Sequence, residues 1–541
     1  MKNIKLLDCT LRDGGYVIDS IFGENTISGI INKLCKANVD IVEVGFLKDC
    51  EYSPGSTNFT NIPQINKYLP VEARSTMFAA MIDYGRYDID QLPKCDGKGI
   101  VALRNCFFKR DRYDAVHYSK EILKKGYKLF IQPVDILGYS DLEILELIEI
   151  ANELKPYAFS IVDTFGSMYE EDLVRVFSLL NHNLDKSIRI GFHSHNNLQL
   201  SFALSQKIIE LSDKHREIII DTTLCGMGRG AGNTNTELLV NYLNKKYNYG
   251  YDINEIMDLI DLHITPIMKD KSWGYSIPYF IAGLYSTHVH NISYLLDKHK
   301  VRSKDMQIII GSLDENIKKR YDYNNLENIY ISYFNNEIND EATLVDLSKM
   351  LKGKDVLVLA PGRTILSCRE LILKYQAEKK DNLLTISVNF CDKNIKTDLL
   401  FFSNNMRYDN AISSGVDISK YKTIITSNLK VDRYDYVVNY NNLIMRKYQH
   451  FDNAMILLLS LLSKIGCQNV LVAGFDGYPT EEKNSYYNKS FQTDMSLQEK
   501  CLLNTEIKSM LQELTNKKHS NLNLDFLTHS MYSKELESSV V

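Results

Sequence analysis

Three short stretches of this chain hold residue types that do chemistry together. They are Leu11-Arg12-Asp13-Gly14, His193-Ser194-His195, and the run Gly226-Met227-Gly228-Arg229-Gly230-Ala231-Gly232-Asn233. Residues i and i+2 of a strand face the same way, so His193 and His195 converge. Two imidazoles and the Asp13 carboxylate, with coordination positions left open, suit six-coordinate Mn2+, Mg2+ or Co2+. A closed zinc site would want four protein ligands, usually thiolates. A divalent cation that chelates a 2-oxo acid withdraws charge from its carbonyl and favours the enolate. Arg12, beside Asp13, is placed to stabilise the enolate oxygen. The glycines of the third stretch, Gly230 and Gly232 among them, let backbone approach closely and offer amides to a substrate carboxylate.

Two further carboxylates lie where strands are expected. Glu43, inside the apolar run Ile41-Val42-Glu43-Val44-Gly45-Phe46, needs a partner if buried. It orients Arg12 or a metal-bound water, or it closes a structural network. Asp163, in Val162-Asp163-Thr164, either lines the site or caps a loop. Cys9 and Cys106 read as packing residues.

The elements that must position these groups follow a βα rhythm. Runs rich in Val and Ile predict strands over 4–9, 41–46, 76–82, 100–106, 127–134, 158–164, 188–193 and 217–223. Eight strands buried on both faces, separated by spans that can hold crossover helices, fit a (β/α)8 barrel better than an open doubly wound sheet. Arg12-Asp13 and His193-His195 follow or end strands one and seven, which share parity, so they meet at one mouth. Residues 1–233 are therefore assigned to the barrel and 234–344 to a helical annex. Residues 345–541 form a second α/β domain, Rossmann-like and open, with strands over 354–360, 383–389, 398–402, 422–426, 435–439 and 469–473. The polar tail after about residue 515 is expected to be partly disordered. The strand leading into Pro361-Gly362-Arg363-Thr364 and a helix could seat a phosphate.

Composition narrows the function class. A net charge of -5 over 541 residues argues against a nucleic-acid stripe or an anionic-membrane patch. No apolar run reaches the ~18 residues of a membrane span, and no signal peptide precedes the first strand. Ten scattered cysteines without a Cys-x-x-Cys pair read as reduced thiols of a cytoplasmic protein, and the Lys-, Asn- and Ile-rich composition as bacterial.

Taken in order, Leu11-Arg12-Asp13-Gly14, His193-x-His195 and Gly228-Arg229-Gly230-Ala231-Gly232-Asn233 resemble the DRE-TIM metallolyase superfamily over about residues 1–300. Its members include 4-hydroxy-2-oxovalerate aldolases, hydroxymethylglutaryl-CoA lyases and isopropylmalate synthases. The resemblance implies metal ligation by Asp13, His193 and His195, enolate stabilisation by Arg12, and ligation or orientation at the metal by Asn233. His195-Asn196-Asn197-Leu198-Gln199-Leu200 is most similar to the aldolase branch. The loop after strand eight is short and lacks the cysteine of the CoA-ester lyases. The aldolases carry a general-base histidine three residues after the metal-binding Asp, where this chain has Tyr16. Tyr16 then relays a proton or merely packs, and His288 and His290 are the other candidates for the base if the annex folds over the mouth. The expected partners are a 2-oxo acid such as pyruvate and an aldehyde, with the chain as a homo-oligomer. The rivals are a Claisen-type acyl-CoA condensation, a non-catalytic scaffold with a relict barrel, against which the intact Arg12, Asp13, His193, His195 and Asn233 argue, and a main transferase activity in the C-terminal domain. Val472-Ala473-Gly474-Phe475-Asp476-Gly477-Tyr478-Pro479 resembles strand-end loops of sialyltransferase-like and pterin-pyrophosphokinase-like Rossmann domains. That resemblance implies a nucleotide or nucleotide-sugar ligand, in surface-polysaccharide metabolism.

Overall fold

The computed structural model describes residues 3–533 apart from 71–74, 214, 300, 335–336, 381, 480–484, 489–494 and 517–521. The chain divides into two compact units, Met1–Leu326 and Glu327–Val541.

In the first unit eight parallel strands close on themselves. They are β1 (Ile4–Asp8), β2 (Ile41–Leu47), β3 (Met77–Asp83), β4 (Ala102–Phe107), β5 (Lys128–Pro133), β6 (Ala158–Asp163), β7 (Arg189–Ser194) and β8 (Ile218–Thr222). Each pairs with the next, and β1 pairs with both β8 and β2, with Leu7 opposite Ile41. This is the (β/α)8 barrel, with the strand ends within two residues of those expected. A two-residue strand, Asn58–Phe59, adds to β2 past a register shift between Glu43 and Phe46. Gly45 sits in that shift at φ +148°, where a Cβ would meet the Thr57 carbonyl oxygen at 2.1 Å.

The crossover helices follow from local sequence. In Asp141–Leu154, Ser140 and Glu143 form a reciprocal capping box, Ile144, Leu147, Ile148 and Ala151 make the buried stripe, and Lys155 ends the helix at φ 52°. Inside the barrel, one layer is apolar: Leu7, Ile41, Ala79, Ala102, Phe130, Ala158 and Ile219. Two residues further along the same strands the interior turns polar, with Glu43, Arg104, Gln132, Ser160 and Asp221. The period of two thus puts the ionisable groups at the C-terminal mouth.

After β8 the first unit is helical, from Thr236–Tyr247 through Ile277–Leu284 and Val289–His299 to Glu315–Lys318. Gly283 lies where a Cβ would meet Asn197 and the Gly166 carbonyl oxygen at 3.1 Å, so these helices pack on the mouth loops.

The second unit is one seven-stranded parallel sheet: β9 (Asp355–Leu359), β10 (Leu383–Val388), β11 (Leu399–Phe402), β12 (Lys422–Thr426), β13 (Tyr436–Val438), β14 (Asn469–Ala473) and β15 (Asn523–Phe526), in the order β13-β12-β11-β10-β9-β14-β15. β15 falls in the tail expected to be partly disordered. Leu522 and Leu524 are buried, and that pairing corrects the expectation for these residues. Residues 517–521 and 534–541 of the same tail lie outside the described ones. Helix Glu341–Leu351 spans the boundary drawn from sequence at 344/345 and contributes Leu347 and Leu351 to this unit's core. Among the described residues no helix is long and apolar enough to cross a membrane.

Candidate active site

The turn after β1 carries Arg12 and Asp13. It is pinned by the Asp13 amide, which donates to the Cys9 carbonyl at 2.8 Å, and by Thr10 Oγ1, which accepts from the Leu224 amide at 2.8 Å. Arg12 is buried and spans two carboxylates. Its Nε donates to Glu43 Oε2 at 2.7 Å and its Nη1 to Asp13 Oδ2. Glu43 thus holds Arg12, and through Arg104 the same carboxylate is also part of a buried network.

Asp13 faces both histidines. His193 Nε2 lies 3.2 Å and His195 Nε2 3.9 Å from Asp13 Oδ2. The opposite ring nitrogens are engaged elsewhere: His193 Nδ1 is 3.0 Å from Asp221 Oδ2, and His195 Nδ1 3.3 Å from the Gly232 carbonyl oxygen. A carbonyl acceptor at Nδ1 favours the His195 tautomer that leaves Nε2 to a metal, whereas the Asp221 carboxylate approaches His193 Nδ1 as an ion contact without an aligned hydrogen bond. Burial alone would raise the Asp13 pKa, but Arg12 and the two histidines outweigh it and hold the carboxyl well below its usual range. His195 is depressed to about 4 by burial. Asn233 joins the group through an isolated bridge to His195, and its Nδ2 is anchored on the Met227 carbonyl at 3.3 Å. Asp13 Oδ1 and Asn233 Oδ1 are buried without a hydrogen-bond partner. Two nitrogen donors, a carboxylate and an orphaned amide oxygen make a donor set that fits a divalent cation.

The glycine run curls over this group. Gly232, at φ +83°, comes so close to Gly226 that a Cβ would meet its carbonyl oxygen at 1.9 Å, and Gly230 sits at φ +67° against Asn197. Asp163 accepts from the Ser167 amide of its own loop at 2.9 Å and from Ser194 Oγ at the end of β7 at 3.2 Å. Its burial lifts the pKa to about 6. Cys9 is buried, with its thiol pushed well up by desolvation.

Tyr16 stands at the mouth, two-fifths exposed. The Arg229 guanidinium covers its ring at 3.8 Å from the centroid, and desolvation pushes its pKa up to about 12. Arg229 Nη1 donates in turn to His288 Nε2 at 3.1 Å. Burial, then Arg229, lower the His288 pKa to about 3. The annex thus reaches the mouth through His288. His290 is exposed, tilted against His288 and edge-on to Tyr321.

Arg104, Asp221 and Arg229 have no assigned part in the sequence reading. Arg104 pairs with Glu43 at 2.9 Å and with Asp221, which completes a buried chain Arg12–Glu43–Arg104–Asp221–His193–Asp13. One ionisable residue inside each of the apolar runs Val101-Ala102-Leu103-Arg104 and Ile218-Ile219-Ile220-Asp221 was the available signal.

In the second unit, the turn after β9 is closed by its own side chains. The Thr364 amide donates to Asp476 Oδ2 at 2.9 Å, and Thr364 Oγ1 donates to the same carboxylate. The helix that follows is only Thr364–Ser367. The amide expected to meet a phosphate already has an anion, which corrects that reading and removes its support for a nucleotide ligand.

Residues 3–262 match the HMGL-like family model. A 4-hydroxy-2-oxovalerate aldolase from Carboxydothermus hydrogenoformans is 27% identical over 328 residues, 58% of this chain and 93% of that protein. One from Roseiflexus sp. is 28% identical over 296 residues, 52% of this chain and 83% of that protein. Among solved structures, the HMG-CoA lyase of Bacillus subtilis matches at 15% identity and a TM-score of 0.41, over 49% of this chain and 94% of that one.

Proposed function

With the barrel belonging to the HMGL-like domains of the DRE-TIM metallolyase superfamily, we propose that this protein is a divalent-metal-dependent aldolase that joins a 2-oxo acid such as pyruvate to an aldehyde, or cleaves the 4-hydroxy-2-oxo acid product. One observation carries the reading. Both histidines turn Nε2 toward Asp13 while an oxygen lies on the far side of each ring near Nδ1, and the Arg12 guanidinium lies against the same carboxylate.

Asp13, His193 and His195 would hold the metal, with Asn233 Oδ1 beside them. A divalent cation bound there supplies Lewis-acid withdrawal of electron density from the carbonyl of the 2-oxo acid. Arg12, fixed by Glu43, presents its guanidinium to the oxygen that gains charge as the methyl proton passes to water at the open mouth. In the condensing direction the enolate carbon bonds to the aldehyde carbon, and the C=O pair moves to oxygen. Tyr16, protonated at neutral pH, supplies that oxygen with its proton. His288 spends its Nε2 lone pair on Arg229 and is therefore a support for that arginine, not the base.

The test is metal-dependent exchange of pyruvate methyl protons with deuterated water, followed by NMR. Exchange that requires Mn2+ or Mg2+ and vanishes in His195→Ala supports the reading. No exchange, together with release of free CoA from an acyl-CoA and a 2-oxo acid, would replace it with the Claisen-type reaction.

A further inference from the structure

The two interior arginines of the barrel are each paired twice with carboxylates, Arg12 with Glu43 and Asp13, Arg104 with Glu43 and Asp221. Arg229 differs. Among the described residues it has no carboxylate partner, and its charge meets only the face of Tyr16 and the lone pair of His288. Asp83, within electrostatic reach of the same tyrosine, pairs with Arg86 at 3.5 Å. A half-buried cation loses hydration that two neutral groups restore only in part.

The position of Arg229 gives that deficit a use. It stands in the glycine run four residues before Asn233, and its positive charge is felt at His195, His288 and Tyr16. It therefore lies over the side of the metal group where Tyr16 opens to solvent. One Nη is occupied by His288, and the guanidinium carbon lies 3.8 Å from the centroid of the Tyr16 ring, so two contacts hold the group in place. A planar donor fork held that way is pre-organised for a carboxylate or phosphate.

We propose that Arg229 selects the second substrate: the aldehyde carries an anionic group, a carboxylate or a phosphate, which pairs with the Arg229 guanidinium while its carbonyl reaches Tyr16. This rests on the aldolase reading above. His288 is a positioning residue for Arg229, and the same contact would hold the distal anion of the aldol product during cleavage.

The experiment compares three acceptors with pyruvate on the full chain: succinic semialdehyde, glyceraldehyde 3-phosphate and propionaldehyde. The expected result is an advantage in kcat/KM of about 10–100-fold for an anionic aldehyde over propionaldehyde, the range of a charge-assisted hydrogen bond. Whether succinic semialdehyde or glyceraldehyde 3-phosphate leads tells carboxylate from phosphate. Arg229→Gln should erase most of that advantage through KM for the aldehyde and leave pyruvate proton exchange at the wild-type rate, and Arg229→Lys should restore part of it. Unchanged exchange also shows that the variants fold. Equal use of all three aldehydes by the wild-type protein, or an advantage that survives Arg229→Gln, overturns the inference while exchange keeps the aldolase reading intact. Loss of exchange in the wild-type protein removes both.

Discussion

Asp221 and Arg12 make different contributions at the level of single side chains, and substitution separates them. Asp221 touches His193 through Nδ1 and would act on the metal only by fixing that ring. Outer carboxylates of this kind change metal affinity about 10–100-fold. Asp221→Asn is therefore expected to weaken Mn2+ binding by that factor in a calorimetric titration, with pyruvate exchange recovered at saturating metal. Unchanged affinity would mean that Asp13 alone holds His193. Arg12→Lys should do the reverse. Lysine cannot span Glu43 and Asp13 with one rigid fork, so metal affinity stays near wild type while turnover falls about 10²–10³-fold, roughly the 2.7–4 kcal/mol of one transition-state donor. Wild-type turnover in Arg12→Lys would refute the oxygen-stabilising role. Tyr16→Phe removes one hydroxyl from a ring that still stacks under Arg229. Proton exchange should persist while condensation slows, about 10²–10⁴-fold if the phenol is the proton donor. Equal loss of both would assign Tyr16 to enolisation instead.

Strands and turns decide where these side chains can be, and the strands were the most legible feature of the chain. Each barrel strand is a short Val/Ile-rich run between turn residues, and the period of two fixes which residues face inward once the barrel is recognised. That is why Asp13, His193 and His195 could be placed together. Parity states only that Arg104 and Asp221 face inward; their mutual pairing depends on barrel closure, which a single strand does not encode. Arg229 sits on a loop and Tyr16 on a 3-10 helix of five residues, too short for a period to give a direction, and their contact is visible only in three dimensions. β15 was missed because Asn523-Leu524-Asp525-Phe526 alternates on too short a run to stand out from a polar tail. The turn after β9 misled because Asp476, which caps it, lies 112 residues away. The glycine run offers the sharpest test at this scale. Gly232→Ala adds a methyl at φ +83° toward the Gly226 carbonyl oxygen at 1.9 Å. A strained residue of this kind costs about 1–3 kcal/mol, so the melting temperature should fall and Mn2+ affinity with it, since Gly232 also holds His195 through its carbonyl oxygen. A variant with wild-type melting and affinity would show that the loop relaxes without cost.

Each of the two units of the whole chain has its own buried core, one built on the barrel and its helices and the other on the seven-stranded sheet. The groups that fit a metal all belong to the first unit. A ligand that binds only the folded form stabilises that form by RT ln(1 + [L]/Kd), about 2.7 kcal/mol at a hundredfold excess over Kd. That free energy enters through Asp13, His193 and His195, so it is expected to slow amide exchange along β1, β7, β8 and residues 226–233. Amides of β9–β15 should exchange at the metal-free rate, because no residue of that sheet contributes to the donor set. Hydrogen exchange read by mass spectrometry with and without Mn2+ on the full chain measures both halves at once. Protection confined to the barrel would locate the metal where the donors converge. Protection that appears instead in 355–526 would mean that the cation binds the second sheet, and the assignment of the barrel site would fall.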